Sequence, residues 1–102
     1  KIVDKVDIVS ILFIWIDDFD GLTADCTPQE VLEFLNRAFT GMDEICTMYD
    51  VTKVETVGEE YVACVGAVPD DIEDAKDVGH SGILERLFRA ADDILRLQED
   101  LE

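Results

Sequence analysis

The sequence predicts an α/β sandwich, in the α+β arrangement of two helices laid over one face of a small sheet. Three observations predict it. An apolar run rich in β-branched and aromatic residues opens the chain, a helix with a complete start signal follows, and two short β-prone runs precede a second amphipathic stretch.

The first element is a strand over Val6 to Ile16, where Ile8, Val9, Ile11, Leu12, Phe13, Ile14, Trp15 and Ile16 are almost continuously apolar. Such a run is expected of a strand buried on both faces, so it is placed at the centre of the sheet. Asp17, Asp18, Asp20 and Gly21 then form a polar turn. Thr27-Pro28-Gln29-Glu30 supplies an N-cap threonine, a proline at the first helical position and a glutamate three residues beyond the cap, which marks a helix start. Val31, Phe34, Leu35, Ala38, Phe39, Met42, Ile45 and Cys46 recur at steps of three and four, giving one apolar stripe that ends near Tyr49.

Val51 to Val57 and Tyr61 to Val68 read as two strands joined at Gly58-Glu59-Glu60, a spacing that suits a hairpin. Pro69 to Gly79 is dominated by Asp and Glu and reads as a linker. Ile83, Leu84, Leu87, Phe88, Ala91, Ile94, Leu95 and Leu101 mark the second amphipathic helix. The β-α-β-β-α order is a ferredoxin-like unit without its last strand, which leaves an open sheet edge for other protein to fill. Since the chain does not begin with Met and Leu97 to Glu102 still reads as helix, residues 1–102 are expected to be one partial domain of something longer.

Composition narrows the function. The chain has 102 residues with 25 acidic and 8 basic side chains, a formal charge of -17, so nucleic-acid phosphates and anionic lipid headgroups are repelled. Neither nucleic-acid binding nor direct membrane contact is expected of it. Cys26, Cys46 and Cys64 are odd in number, widely spaced and free of any CxxC pattern, which points to reduced thiols and a cytoplasmic location.

Read without gaps, Phe13, Ile16, Phe19, Leu22, Thr27-Pro28, Leu35-Asn36 and Phe39 follow one pattern, and Lys53-Val54-Glu55-Thr56-Val57-Gly58 with Glu59, Tyr61, Gly66 and Pro69 follows a more specific one. Together they resemble the N-terminal half of the catalytic domain of class III nucleotide cyclases, in its guanylate cyclase form. The resemblance implies the class III cyclase fold, a head-to-tail pairing with a second cyclase-homology domain, GTP as substrate, and Mg2+ or Mn2+ held at the interface by two aspartates. It places the first metal aspartate on Trp15, whose indole has no oxygen to offer, and the second on Glu59, one methylene longer.

Asp17 and Asp18 are the substitutes to weigh. Asp17 lies two residues beyond Trp15, on the same strand face but about 6 to 7 Å further along. Asp18-Phe19-Asp20-Gly21-Leu22-Thr23 imitates the first metal segment after a three-residue slip. The same residues also read as an acidic turn, Glu59 and Glu60 as a solvated hairpin tip, and Trp15 as packing. Glu55 falls where the resemblance puts the guanine-reading carboxylate: a carboxylate accepts from guanine N1-H and the exocyclic amine, whereas adenine N1 is itself an acceptor. A solvated strand glutamate is the plainer alternative. His80 falls near a helix start where the family often has a histidine, and alone it reads as a capping or surface residue.

Two functions follow from the resemblance, ahead of a third in which the chain is a competent homodimeric cyclase using Asp17 or Asp18. In one, the chain is the metal-deficient, base-recognising half of a paired guanylate cyclase making cyclic GMP, with the metals held mainly by the partner domain. In the other it is an inactive pseudocyclase without a cofactor, serving as a dimerisation or scaffold module.

Overall fold

The computed structural model describes residues 8–101. Its elements run β1 (Ser10–Ile14), α1 (Phe19–Thr23), α2 (Pro28–Met48), β2 (Thr52–Val57), β3 (Glu60–Val65) and α3 (Pro69–Leu101). The three strands form one antiparallel sheet in the order β1-β3-β2, so β3, rather than the first strand, is central. β1 is an edge strand and is shorter than the apolar run predicts; Val6 and Asp7 lie outside the described residues.

The apolar run is also not buried on both faces. Leu12, Ile14 and Ile16 turn toward the helices, and with Tyr61, Ala63 and Val65 of β3 they meet Ala38, Met42 and Cys46 of α2 and Ile83, Leu87, Ala90 and Ile94 of α3. The alternate residues Ile11, Phe13 and Trp15 stay exposed, because both long helices pack on the other side. Helices on one face of the sheet, as the sequence predicts, therefore leave an apolar face open.

α2 begins where its signal says. Thr27 Oγ1 accepts from the Glu30 N–H (3.2 Å), and Glu30 Oε1 accepts from the Thr27 N–H (2.9 Å). This reciprocal cap satisfies two donors that the first helical turn cannot satisfy itself. The acidic turn after β1 contains the short helix α1, with Asp18 in the left-handed region at its N-cap (φ 52°).

Pro69 to Gly79 is a helix and not a linker. Proline in the first turn lacks an N–H that would go unsatisfied there anyway, and Asp70 and Asp71 complement the positive end of the helix dipole. The helix breaks at Gly79, whose φ of 74° and ψ of 168° are non-helical, and resumes along the apolar stripe predicted for it. His80, just past the break, is half-buried and pairs through Nε2 with Ser10 Oγ on β1 at 2.7 Å, so it ties helix to sheet rather than capping at the surface.

The cap gives a direct test. Thr27→Ala should cost about 1 kcal/mol in the urea unfolding free energy of the protein. The Thr27 backbone N–H holds the Glu30 carboxyl below its ordinary pKa. Its contribution is therefore present above the unfolded pKa and lost as pH falls through the lowered folded one, and Glu30→Gln should reduce that acid dependence.

Candidate functional site

The open sheet face carries the candidate site. Directly opposed residues on antiparallel strands share a face, and Phe13 of β1 and Glu55 of β2 both oppose Val62 of β3. Phe13, Val62 and Glu55 thus form one row across the exposed face, with Ile11, Cys64 and Thr52 the row beside it. Glu55 reaches this face through a register shift between Lys53 and Glu55. Lys53 pairs with Ala63 on the helix side, and Val54 is the surplus residue of a β-bulge.

An aromatic pair borders the row. The Phe13 and Trp15 rings stack with centroids 6.3 Å apart and planes 21° from parallel, and the two side chains are about half exposed, at 52% and 60%. Beside them an apolar groove of about 360 Å³ runs between β1 and α3, lined by Phe13, Trp15, Asp17, Ala91, Leu95 and Gln98 among others. Gln98 Nε2 donates to the Trp15 carbonyl at 3.0 Å, which fixes the backbone where β1 ends.

β1 ends at the pair Ile14–Tyr61, one residue after β3 begins, so Trp15, Asp17 and Asp18 follow the same end of the sheet that Gly58 and Glu59 precede. Among the described residues, no three His, Cys, Asp or Glu side chains come together as a metal-holding group. At the position that the resemblance gives to the first metal aspartate, Trp15 does not fit the two-metal centre. Trp15 contributes no oxygen, Asp17 and Asp18 are exposed, and Asp18 stands at the N-cap position of α1 without a side-chain cap hydrogen bond.

Three polar groupings support this face and were not evident in the sequence. Asp43 of α2 accepts from the Tyr61 hydroxyl at 2.6 Å and stands 3.3 Å from Lys53 Nζ, while the Lys53 ammonium lies 5.5 Å from the Tyr61 ring centroid. Burial, followed by the hydrogen bond to Asp43, pushes the Tyr61 phenol far above its ordinary pKa, so it donates at any physiological pH. Asp71, only 3% exposed, accepts from the Gly66 N–H at 2.9 Å and from Arg86 Nη1 at 3.1 Å. Arg86 also reaches Asp74, so the cation in the neighbouring acidic cleft of about 480 Å³ is already engaged.

The third grouping is the Ser10–His80 pair. The only signal for any of the three in the sequence is residue type, since their partners lie 5 to 70 positions apart. Burial pushes the Cys46 and Cys64 thiols upward, which keeps them protonated and unreactive. No helix of the described residues is long and apolar enough to cross a membrane.

The sequence pattern of the adenylate and guanylate cyclase catalytic domain matches residues 2–94. The chain is 40% identical over 62 residues to the human guanylate cyclase soluble subunit alpha-2, covering 61% of this chain and 8% of that subunit. Its fold is similar to the dimeric guanylyl cyclase domain of the RhoGC fusion protein from Blastocladiella emersonii, with a TM-score of 0.68 and 27% identity over 87% of this chain and 44% of that one. It is also similar to the guanylate cyclase domain of RhGC from Catenaria anguillulae in complex with GTP, with a TM-score of 0.66, 26% identity and the same coverage. The chain thus spans less than half of the solved domains and a small part of the curated subunit.

The buried carboxylate behind the sheet gives a second test. Asp71→Ala leaves the Gly66 N–H without its acceptor and Arg86 without one of its two anions, and should cost about 3 kcal/mol in urea unfolding. Asp71→Asn, which keeps an acceptor for Gly66, should cost less.

Proposed function

The chain belongs to the adenylate and guanylate cyclase catalytic domain family, and from that premise we propose that it is the base-reading, metal-deficient half of a paired guanylate cyclase making cyclic GMP from GTP. The observation that carries this reading is the placement of Glu55. It stands exposed on the open sheet face, in one row with Val62 and Phe13, where a nucleotide or a second domain could reach it. A carboxylate there accepts from guanine N1-H and the exocyclic amine and leaves adenine N1 without a donor, which selects GTP over ATP.

This reading calls for a partner. Mg2+ or Mn2+ requires hard anionic oxygens in near-octahedral array, and the position of the first metal residue is held by Trp15. In this reading the partner cyclase domain supplies the aspartates, and Phe13, Trp15 and Ile11 supply apolar contact area for it. A net charge of -17 makes a metal-bearing partner more necessary still, because a free triphosphate approaching this chain alone meets net repulsion. The absence of a disulfide framework and of any CxxC pattern supports a cytoplasmic location for this segment.

One observation favours a second reading. Trp15 stacked on Phe13 builds apolar surface where the chemistry would need a carboxylate, which suits a pseudocyclase that keeps the fold only for assembly. Glu55→Lys separates the two in the intact protein with its copurified partner. The base-reading half predicts a fall of about tenfold or more in the affinity ratio of GTP to ATP, the worth of one charged hydrogen-bond contact. Saturable GTP binding with an unchanged ratio rules out the role of Glu55; no saturable binding in either form selects the scaffold.

A further inference from the structure

We propose that Gly58 is the positioning residue that keeps Glu55 on the open face, and that the bulge at Val54 is the device through which it acts; the consequence for nucleotide choice rests on the base-reading role of Glu55. The inference comes from counting residues between two fixed points. At one, Lys53 opposes Ala63 and is clamped toward α2 by the Asp43 carboxylate and the Tyr61 ring. At the other, Val57 opposes Glu60 across the tight turn at Gly58-Glu59.

Between those points β2 has three residues, Val54, Glu55 and Thr56, and β3 has two, Tyr61 and Val62. One residue of β2 is therefore surplus. The surplus is stored at Val54, which lets Lys53 face the helices and Glu55, two positions later, face the opposite way. Strict alternation would put both on the same side.

The surplus can leave the ladder in two directions. If it moves past Lys53, the Asp43 clamp is lost and Glu55 keeps its partner Val62. If it moves into the turn, the loop grows by one residue, Val54 comes opposite Val62, and Glu55 comes opposite the buried Tyr61, on the side where Asp43 stands. A one-residue slip of this kind exchanges the two faces of a strand.

Gly58 closes the second exit. Its φ of 59° lies in the left-handed region that a two-residue hairpin turn needs and that a β-branched residue resists. A Cβ built on Gly58 meets nothing within 4 Å, so a substitution there acts through backbone conformation and not through a clash. Gly58→Val removes the preference for the tight turn while the clamp still holds Lys53, which drives the surplus residue into the loop and turns Glu55 inward.

The test uses the intact protein with its copurified partner, in four forms: native, Gly58→Val, Gly58→Val with Val54 deleted, and Glu55→Ala. Two quantities are read, the cross-strand NOE partner of Glu55 (Val62 or Tyr61) and the ratio of GTP to ATP affinity measured with fluorescent analogues. Gly58→Val should exchange the Val62 contact for Tyr61 and lower the ratio about tenfold, as Glu55→Ala does. Deleting Val54 in the Gly58→Val background removes the surplus residue, so Glu55 should regain Val62 and the ratio should recover. A generally destabilising substitution would not be repaired by losing a residue. A Glu55–Val62 contact that persists in Gly58→Val, or that stays lost after the deletion, overturns the positioning role. An affinity ratio unmoved by Glu55→Ala overturns the base-reading role instead, and the NOE partner then decides the role of Gly58 alone.

Discussion

Two-sided pairing of β3 is the constraint on which the rest of the structure depends. It bonds β1 through five residues, Ser10 to Ile14, and β2 through the bulged ladder, so its own two faces define the two sides of the molecule. Tyr61, Ala63 and Val65 face the helices and are fully buried. Val62 and Cys64 face the other way and are still buried, at 7% and 4% exposed, and Val62 is the common partner of Phe13 and Glu55. α2 and α3 both pack on the first side because the apolar stripes of the two helices have a single buried surface to share.

On the proposed reading, that asymmetry lets one chain serve nucleotide recognition without a metal centre of its own. Recognition of a base edge needs one well-placed acceptor on a firm support, and Glu55 stands on a strand whose neighbour is locked to α2 through Tyr61, Asp43 and Lys53. Phosphoryl chemistry needs hard anions converging on a cation, and at the end of β1 the chain has an indole where the resemblance puts the first metal aspartate, followed by the exposed Asp17 and Asp18. The two requirements are physically separate, so the proposed reading lets a chain meet the first without the second.

Much of the fold was legible from local patterns. The Thr27-Pro28-Gln29-Glu30 start, the stripe from Val31 to Cys46 and the glycine between two β-prone runs each have a mechanism within a few residues, and each element stands where it was expected except that β3 ends at Val65 and not at Val68. β1 was misjudged because apolar residues on an open face have the same composition as buried ones, so Ile11, Phe13 and Trp15 read as core. The Pro69 to Gly79 segment was misjudged because its acidic composition suggested a loop, although proline followed by Asp70 and Asp71 is also a helix start. At the site, Glu55 was legible through its motif, but its facing was not. Alternation counted from Lys53 puts it on the wrong side, and only the pairing with Val62 reveals the bulge. The Asp71–Gly66–Arg86 and Asp43–Tyr61–Lys53 groupings depend on tertiary placement and had no local signature.

The most direct measurement of the central claim is cyclic GMP and cyclic AMP production by the intact native protein, first with its copurified partner and then with that partner removed, supplied with GTP or ATP and Mg2+ or Mn2+. A base-reading half without its own metal centre predicts cyclic GMP from GTP with the partner present and none from this protein alone. Turnover undiminished after removal of the partner would contradict the account, because the cations would then have to be held by residues this chain contributes itself.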